Sequence, residues 1–349
     1  AYLVVTLLIG FWASRRVRDH RDFALAGKHL SYFMATATVF ATWFGSETIL
    51  GSSANFVQSG FFGVIEEPFG AALCLILVGA LFARGLYRMN LTTFGDFFRV
   101  RYGALAEVVA SVILVFSYVS WVAAQFLALG IVFHTITGVS LEMAIVAMGL
   151  LVTLYTTMGG MWAVSLTDTL QMTLIVTGLA AVFFYLLQQA GGWNAVMVNV
   201  PQSHFSFLPQ GKVSWLQYFS LWIVLGLGSI PGQDVFQRVM SSKNERVAAV
   251  SSIVAGLLYL TVAMIPLFLG LVAVRLLSKG ELPADMQFLQ PQLIQLKTPV
   301  WVQILFFGAL VSAILSTASG ALLAPSVLVG DNLLARFVRD EKKLLLLSR

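Results

Sequence analysis

Residues 312–320 read SAILSTASG, and residues 44–51 read FGSETILG. Each lies inside a long apolar run. The first puts four hydroxyls, Ser312, Ser316, Thr317 and Ser319, where its surroundings are oil. The second puts two glycines, hydroxyls and Glu47 into what would otherwise be one continuous helix. Polar groups in such places need a partner, and the rest of the chain says which kind.

The chain has 349 residues, of which 58% are hydrophobic and 11% charged, with a mean hydropathy of +0.87. Soluble domains carry about 25% charged residues, so this length is divided into membrane spans rather than soluble domains. A bilayer core of about 30 Å takes about 20 apolar helical residues per crossing. Nine segments qualify, roughly 1–13, 31–59, 62–83, 104–134, 141–160, 166–188, 214–236, 247–274 and 300–329. They are too long and too uniformly apolar for barrel strands, so helices span. The single Cys74 sits in an apolar run and cannot form an internal disulfide.

The 21 Lys and Arg residues fall in the loops between these segments, with none expected inside a span. Seventeen of them, from Arg15 to Arg349, lie in one alternating set of loops; the other set holds only Lys212, Arg275, Lys279 and Lys297. The positive-inside rule then puts the N-terminus outside and the C-terminus in the cytoplasm of a plasma (inner) membrane protein. The basic balance therefore reports orientation in the lipid bilayer and not a nucleic-acid partner. The chain opens in an apolar segment without Met and stops at EKKLLLLSR, so further helices are expected in a parent protein. The longest outside loops, near 189–213 and 275–299, are expected to form partly structured caps.

Two spans are interrupted alike. The second has FGSETILGSSANF, and the seventh has GLGSIPGQDVF with Pro231. Gly and Pro weaken or break a helix interior. In a membrane a break is tolerated where the freed backbone groups meet protein, water or ligand. The two breaks are five spans apart, as in two inverted five-helix repeats that each open with a discontinuous helix beside a midplane binding site. The alternative is that the glycines only let helices pack closely.

Ala313, Ser316 and Thr317 share one helix face. A sodium ion is a hard cation that takes oxygen ligands. Two hydroxyls and one carbonyl supply three, all neutral, whereas calcium sites usually use carboxylates. A broken helix opposite would add unwound carbonyls. The alternative is that both hydroxyls simply bond the carbonyl four residues back.

SAILSTASGALLAPS, together with FALAGKHLSYFMATATVFATWFGSETILG, TLYTTMGGMWAVSLTDTLQ and GSIPGQDVFQRVMSS, resembles the sodium:solute symporter family in order and over nearly the whole chain. ATWFG, LYTTMGGMW and IPGQDVFQRV are nearest its choline-transporter branch, with the sodium–proline branch also similar. The resemblance implies an all-α multi-pass LeuT-type fold, one transporter domain over 1–349. Segment 1–13 would be an extra first helix and 31–188 the first five-helix repeat. Segment 214–349 would begin the second, inverted repeat, without its last helices. It implies Na+ as coupling ion, held by the carbonyls of Ala41, Phe44 and Ala313 and the hydroxyls of Ser316 and Thr317. Asp168 matches an aspartate on the inward sodium route; read from the residues alone, it could equally cap the sixth span.

In that fold the substrate sits beside the two breaks, facing the fourth span. The candidates are Trp43, Ser46, Glu47 and Thr48, then Trp121 and Gln125 on one face, then Ser229, Gly232 and Gln233. The resemblance puts Trp43 and Trp121 among aromatics that line a quaternary-ammonium pocket, where cation–π attraction is worth up to about 2 kcal/mol when desolvated. Gly232 and Ala71 depart from that branch, which has aromatics there. Glu47 is an ionisable group within a span, a costly placement that is usually functional. It could pair with a substrate ammonium, titrate, or face water. Together these features favour a small organic solute with a positive nitrogen, amino-acid-, betaine- or choline-like, over a sugar.

The sequence has no Walker loop, no nucleophile elbow and no metal spacing among its four His residues, so no organic cofactor and no enzyme chemistry is expected. A transporter-like sensory input domain is the alternative reading of the same spans. Oligomeric state is not encoded in any feature read here.

Overall fold

The computed structural model describes residues 2–198, 200–209, 213–335 and 345. Lys212, Arg336, Arg339, Lys342, Lys343 and Arg349, six of the basic loop residues weighed above, lie outside the described residues. The described chain is helical, with one isolated backbone bridge between Leu30 and Ser242. The apolar segments become α1 (Tyr2–Ser14), α2 (Tyr32–Trp43), α3 (47–59), α4 (71–89), α5 (Ala104–Thr137), α6 (Leu141–Gln189), α7 (Trp215–Gly226), α8 (Gln233–Ser241), α9 (Glu245–Leu276) and α10 (Val300–Leu328). Among the described residues, five helical stretches are long and apolar enough to cross a membrane.

Burial ranks them. The most apolar stretches of α9 and of α10 are each 56% buried inside the protein, against 17% for α5. α5 instead exposes Leu105, Ile113 and Phe116. In water that would be an aggregation face; in lipid it is ordinary, because hydrocarbon is as good a neighbour as a protein core. α10 packs against α2, α5 and α6, and it carries the SAILSTASG stretch into the centre of the bundle.

Both expected breaks are present. α2 ends at Trp43, and Phe44 leaves helical geometry with ψ at 79°. The Gly45 amide turns to Trp43 O at 3.1 Å, so the Ala41 carbonyl loses its helical partner. The helix resumes at Glu47 as a wide turn through Gly51. Between α7 and α8 the chain runs through turns over 227–232, where Gly228 N bonds Ile223 O at 2.9 Å and Gly232 N bonds Ser229 O at 2.9 Å.

Two expectations need correction. Segments 141–160 and 166–188 are two helices, written together as α6, but no loop separates them: they meet in a kink at one non-helical residue, Gly160 (φ 51°, ψ −140°). The kink presses the backbone onto the short helix His20–Leu25, where a Cβ on Gly160 would lie 2.5 Å from Phe23 O. Gly160→Val is therefore expected to cost about 3–5 kcal/mol through strain and overpacking, seen as loss of folded protein by fluorescence-detected chromatography. The second correction is Arg238. It was counted among loop charges, but α8 extends to Ser241 and Arg238 is 1% exposed. The charge is tolerated because acidic residues surround it, as described below.

The loops expected to form caps do so in part, with short helices at Trp193–Met197 and Leu289–Lys297. Lys297 Nζ donates to Glu281 Oε1 at 2.6 Å, and the Ser278 amide and hydroxyl donate to Oε2 at 2.8 and 2.9 Å. Lys297 first, then the Ser278 bonds, hold the Glu281 carboxyl down at about 2. A depressed carboxyl stabilises the fold above its unfolded value of about 4.3, and that contribution is lost as pH falls from there toward 2. Lys297→Ala is expected to raise the Glu281 midpoint toward its ordinary value, read by NMR titration of labelled Glu.

Candidate functional site

α2 and α8 pack against each other and against α10, so the two breaks and the SAILSTASG face meet in one region. Ser316 Oγ donates to Ala41 O at 2.6 Å and lies 2.8 Å from Ala313 O. Thr317 Oγ1 lies 3.5 Å from Ala41 O and 3.1 Å from Ala313 O. The back-bond to Ala313 and the reach across to the broken helix are thus both made. All four residues are fully buried. Gly45 closes the corner: a Cβ there would lie 2.9 Å from Thr317 Oγ1. The carbonyls of Ala41 and Ala313 and the hydroxyls of Ser316 and Thr317 therefore form one knot of neutral oxygens. Phe44 lies at the break itself, buried, its ring stacked on Phe40 at 4.9 Å. Among the described residues, neither hydroxyl donates to the Phe44 carbonyl.

Beside this knot is a cavity of about 580 Å³. Trp43, Glu47, Trp121, Ser229 and Gly232 line it, as expected from the sequence. Four other candidates do not. Ser46 Oγ lies 3.4 Å from Glu47 Oε2. Thr48 is buried, 2.8 Å from Glu67 Oε1 and 2.6 Å from the Tyr259 hydroxyl. Gln125 is fully buried and donates its amide to Glu47. Gln233 faces away from the cavity, its Oε1 accepting the Phe94 amide at 2.7 Å. The first three support the cavity wall from behind; Gln233 instead ties α8 to the start of the short helix at Phe94–Tyr102.

Other lining residues were missed or passed over. Asp234 sits in the first turn of α8, with Oδ2 accepting Trp43 Nε1 at 2.7 Å and Oδ1 accepting the Tyr118 hydroxyl. Tyr118 is one turn from Trp121 on α5, and their rings lie 5.9 Å apart. That pairing was legible, since 118, 121 and 125 repeat at helical spacing. Glu67 faces α9, where the Tyr259 hydroxyl donates to it; nothing in the sequence around Tyr259 announces this. Trp121 Nε1 donates to Glu47 Oε1 at 3.1 Å. Glu47, Glu66, Glu67 and Asp234 put four carboxylates on this cavity, and among the described residues its lining holds no Lys, Arg or His.

Asp168 lies eight residues beyond the Gly160 kink, inside the second half of α6, and is fully buried, so it is not a helix cap. The Thr38 hydroxyl donates to its Oδ2. Arg238 approaches the same residue from the other side, Nε lying 3.4 Å from Thr38 O, while Nη1 donates to Asp234 O at 2.8 Å. Thr38 thus stands between a buried carboxylate and a buried guanidinium, one turn of α2 before Ala41.

The model of the sodium:solute symporter family matches residues 23–349. High-affinity choline transporter 1 of Caenorhabditis elegans is 26% identical, covering 100% of this chain and 65% of that one. High affinity choline transporter 1 of Homo sapiens is 28% identical over 95% and 60%. A sodium/glucose cotransporter of Vibrio parahaemolyticus is 24% identical over 92% and 65%. The chain spans about three fifths of the length of the curated relatives it matches. Among solved structures, a Na+-coupled sialic acid symporter in a substrate-bound outward-open state superposes with a TM-score of 0.90 at 21% identity, over 99% of this chain and 75% of that one.

Proposed function

The chain belongs to the sodium:solute symporter family, and from that premise we propose that the full-length protein is a sodium-coupled importer of a small organic cation. It is an integral multi-pass membrane protein. The observation that carries the proposal is the knot of neutral oxygens on α2 and α10 set against a cavity whose ionisable lining is entirely acidic. Neutral oxygens suit a monovalent ion that must bind and leave. An acidic, aromatic cavity suits a positive nitrogen.

On this reading sodium bridges the carbonyls of Ala41, Phe44 and Ala313 and the hydroxyls of Ser316 and Thr317. It takes the place of the Ser316–Ala41 hydrogen bond, the hydroxyl keeping its proton and turning its oxygen to the ion, and it holds α2 against α10, favouring the outward-open state. The substrate nitrogen binds beside Trp43, Trp121, Ser229 and Gly232, with Glu47 and Asp234 as its counter-charges. Ser46, Thr48 and Gln125 position that wall. α2–α3 and α7–α8 are then the discontinuous first helices of two inverted repeats, α1 is the extra helix, and the basic loops face the cytoplasm. Rocking of the repeats opens the inner side, where Asp168 receives sodium on its way out. Coupling between the two sites is reciprocal and worth about 1–3 kcal/mol.

Uptake of choline and of small amines by the full-length protein in liposomes tests this. An inward sodium gradient is expected to drive accumulation that potassium does not. Uptake indifferent to sodium would contradict it.

A further inference from the structure

Resting on that reading, we propose that the substrate is a short diamine carrying two ammonium groups and no carboxylate. Discontinuous membrane helices commonly offer a positive N-terminus to an anionic group of the substrate. Here both such termini hold an acid of the chain itself: Glu47 in the first turn after the α2 break and Asp234 in the first turn of α8. A zwitterion would bring its carboxylate against these and against Glu66 and Glu67, with no basic side chain among the described lining residues to receive it. The Arg238 guanidinium lies behind the wall, near Asp168. Amino acids and betaines are therefore poor fits. A monocation answers only one of the two anchors.

The anchors are built alike. Asp234 is held by Trp43 Nε1 and the Tyr118 hydroxyl, and Glu47 by Trp121 Nε1 and the Gln125 amide. Each is an oriented carboxylate beside an indole. Both carboxylates line the cavity, and Gln125 fixes Glu47 from behind it. Tyr118 and Trp121 are three residues apart on α5, so the residues that hold the two anchors start about 4.5 Å apart along its axis. A four-carbon diamine spans about 6 Å between nitrogens, and its methylenes would lie along the Tyr118 and Trp121 rings.

The test compares butanediamine with butylamine, choline and glycine betaine by thermal shift of the full-length protein in sodium. Butanediamine is expected to bind at least about tenfold tighter than butylamine. Glu47→Gln and Asp234→Asn are each expected to weaken butanediamine at least about tenfold more than butylamine, and so to abolish that preference. Stabilisation by sodium alone reports that each variant folds and holds its ion. Butanediamine binding no tighter than butylamine, choline or betaine, or not at all, overturns the diamine assignment. If sodium still stabilises the protein in that case, the symporter reading stands. Loss of the sodium response in the unmutated protein strikes the symporter reading instead.

Discussion

Replacing Ser316 and Thr317 together by alanine is expected to lower sodium affinity at least about 100-fold, which is about 2.7 kcal/mol. The two hydroxyls are the side-chain oxygens of the proposed seat, and the Ala41 carbonyl they meet has no helical partner because Gly45 N turns to Trp43 O. The double variant removes two proposed ligands and leaves a buried carbonyl unsatisfied, at a further cost of about 1–3 kcal/mol in stability. Sodium titration of the thermal midpoint measures the first effect, and the midpoint without sodium measures the second. Thr173→Ala is the control: its exposed hydroxyl only back-bonds Thr169 O at 3.0 Å on the same helix. An unchanged sodium titration in the double variant would contradict the assignment.

Arg238→Met is expected to have the largest effect on stability. Asp168 and Asp234 are 0% and 4% exposed, and Arg238 approaches both, through Thr38 on one side and the Asp234 carbonyl on the other. Removing the guanidinium takes away the positive charge near the buried Asp168 carboxylate and leaves the Asp234 and Thr38 carbonyls without its donors. Breaking buried pairs in this way costs about 3–5 kcal/mol. Asp168→Asn in the Arg238→Met background is expected to recover part of that loss, because the amide can still accept from Thr38 without a charge. Folded yield and thermal midpoint of the single and double variants check this. A double variant no more stable than Arg238→Met would show that Asp168 and Arg238 are not coupled.

Much of the fold was legible because membrane helices are specified by simple rules. Length and hydropathy located the apolar segments, and Gly45, Pro231 and Gly232 marked the two breaks. TTMGGMW carries a helix-breaking pair, and the break falls at Gly160, but it takes a single residue and no loop, because the short helix at Phe23 fills the notch. The hydroxyl face at Ser316 and Thr317 could be read from helical spacing. The Ala41 carbonyl could not be, since any helix has carbonyls; only the resemblance pointed to it, and the turned Gly45 amide supplies the physical reason.

The cavity was half legible. Trp43, Glu47 and Trp121 stand out because bulky aromatics and a charge inside a span need explanation. Asp234 was passed over because it lay near the expected end of its segment, although α8 continues to Ser241. Arg238 was taken for a loop charge for the same reason. Gln233 was drawn in by its place at the break, but the side chain of the first residue of α8 turns toward Phe94. Glu67 needs Tyr259, 192 residues away, and no local pattern encodes such a meeting.

The most direct measurement is a high-resolution structure of the full-length protein determined in sodium and again in potassium. In sodium, density is expected among the carbonyls of Ala41, Phe44 and Ala313, with the Ser316 and Thr317 hydroxyls turned onto it. In potassium, Ser316 should remain bonded to Ala41. Ser316 still donating to Ala41 in sodium, with no ion between α2 and α10, would contradict the account.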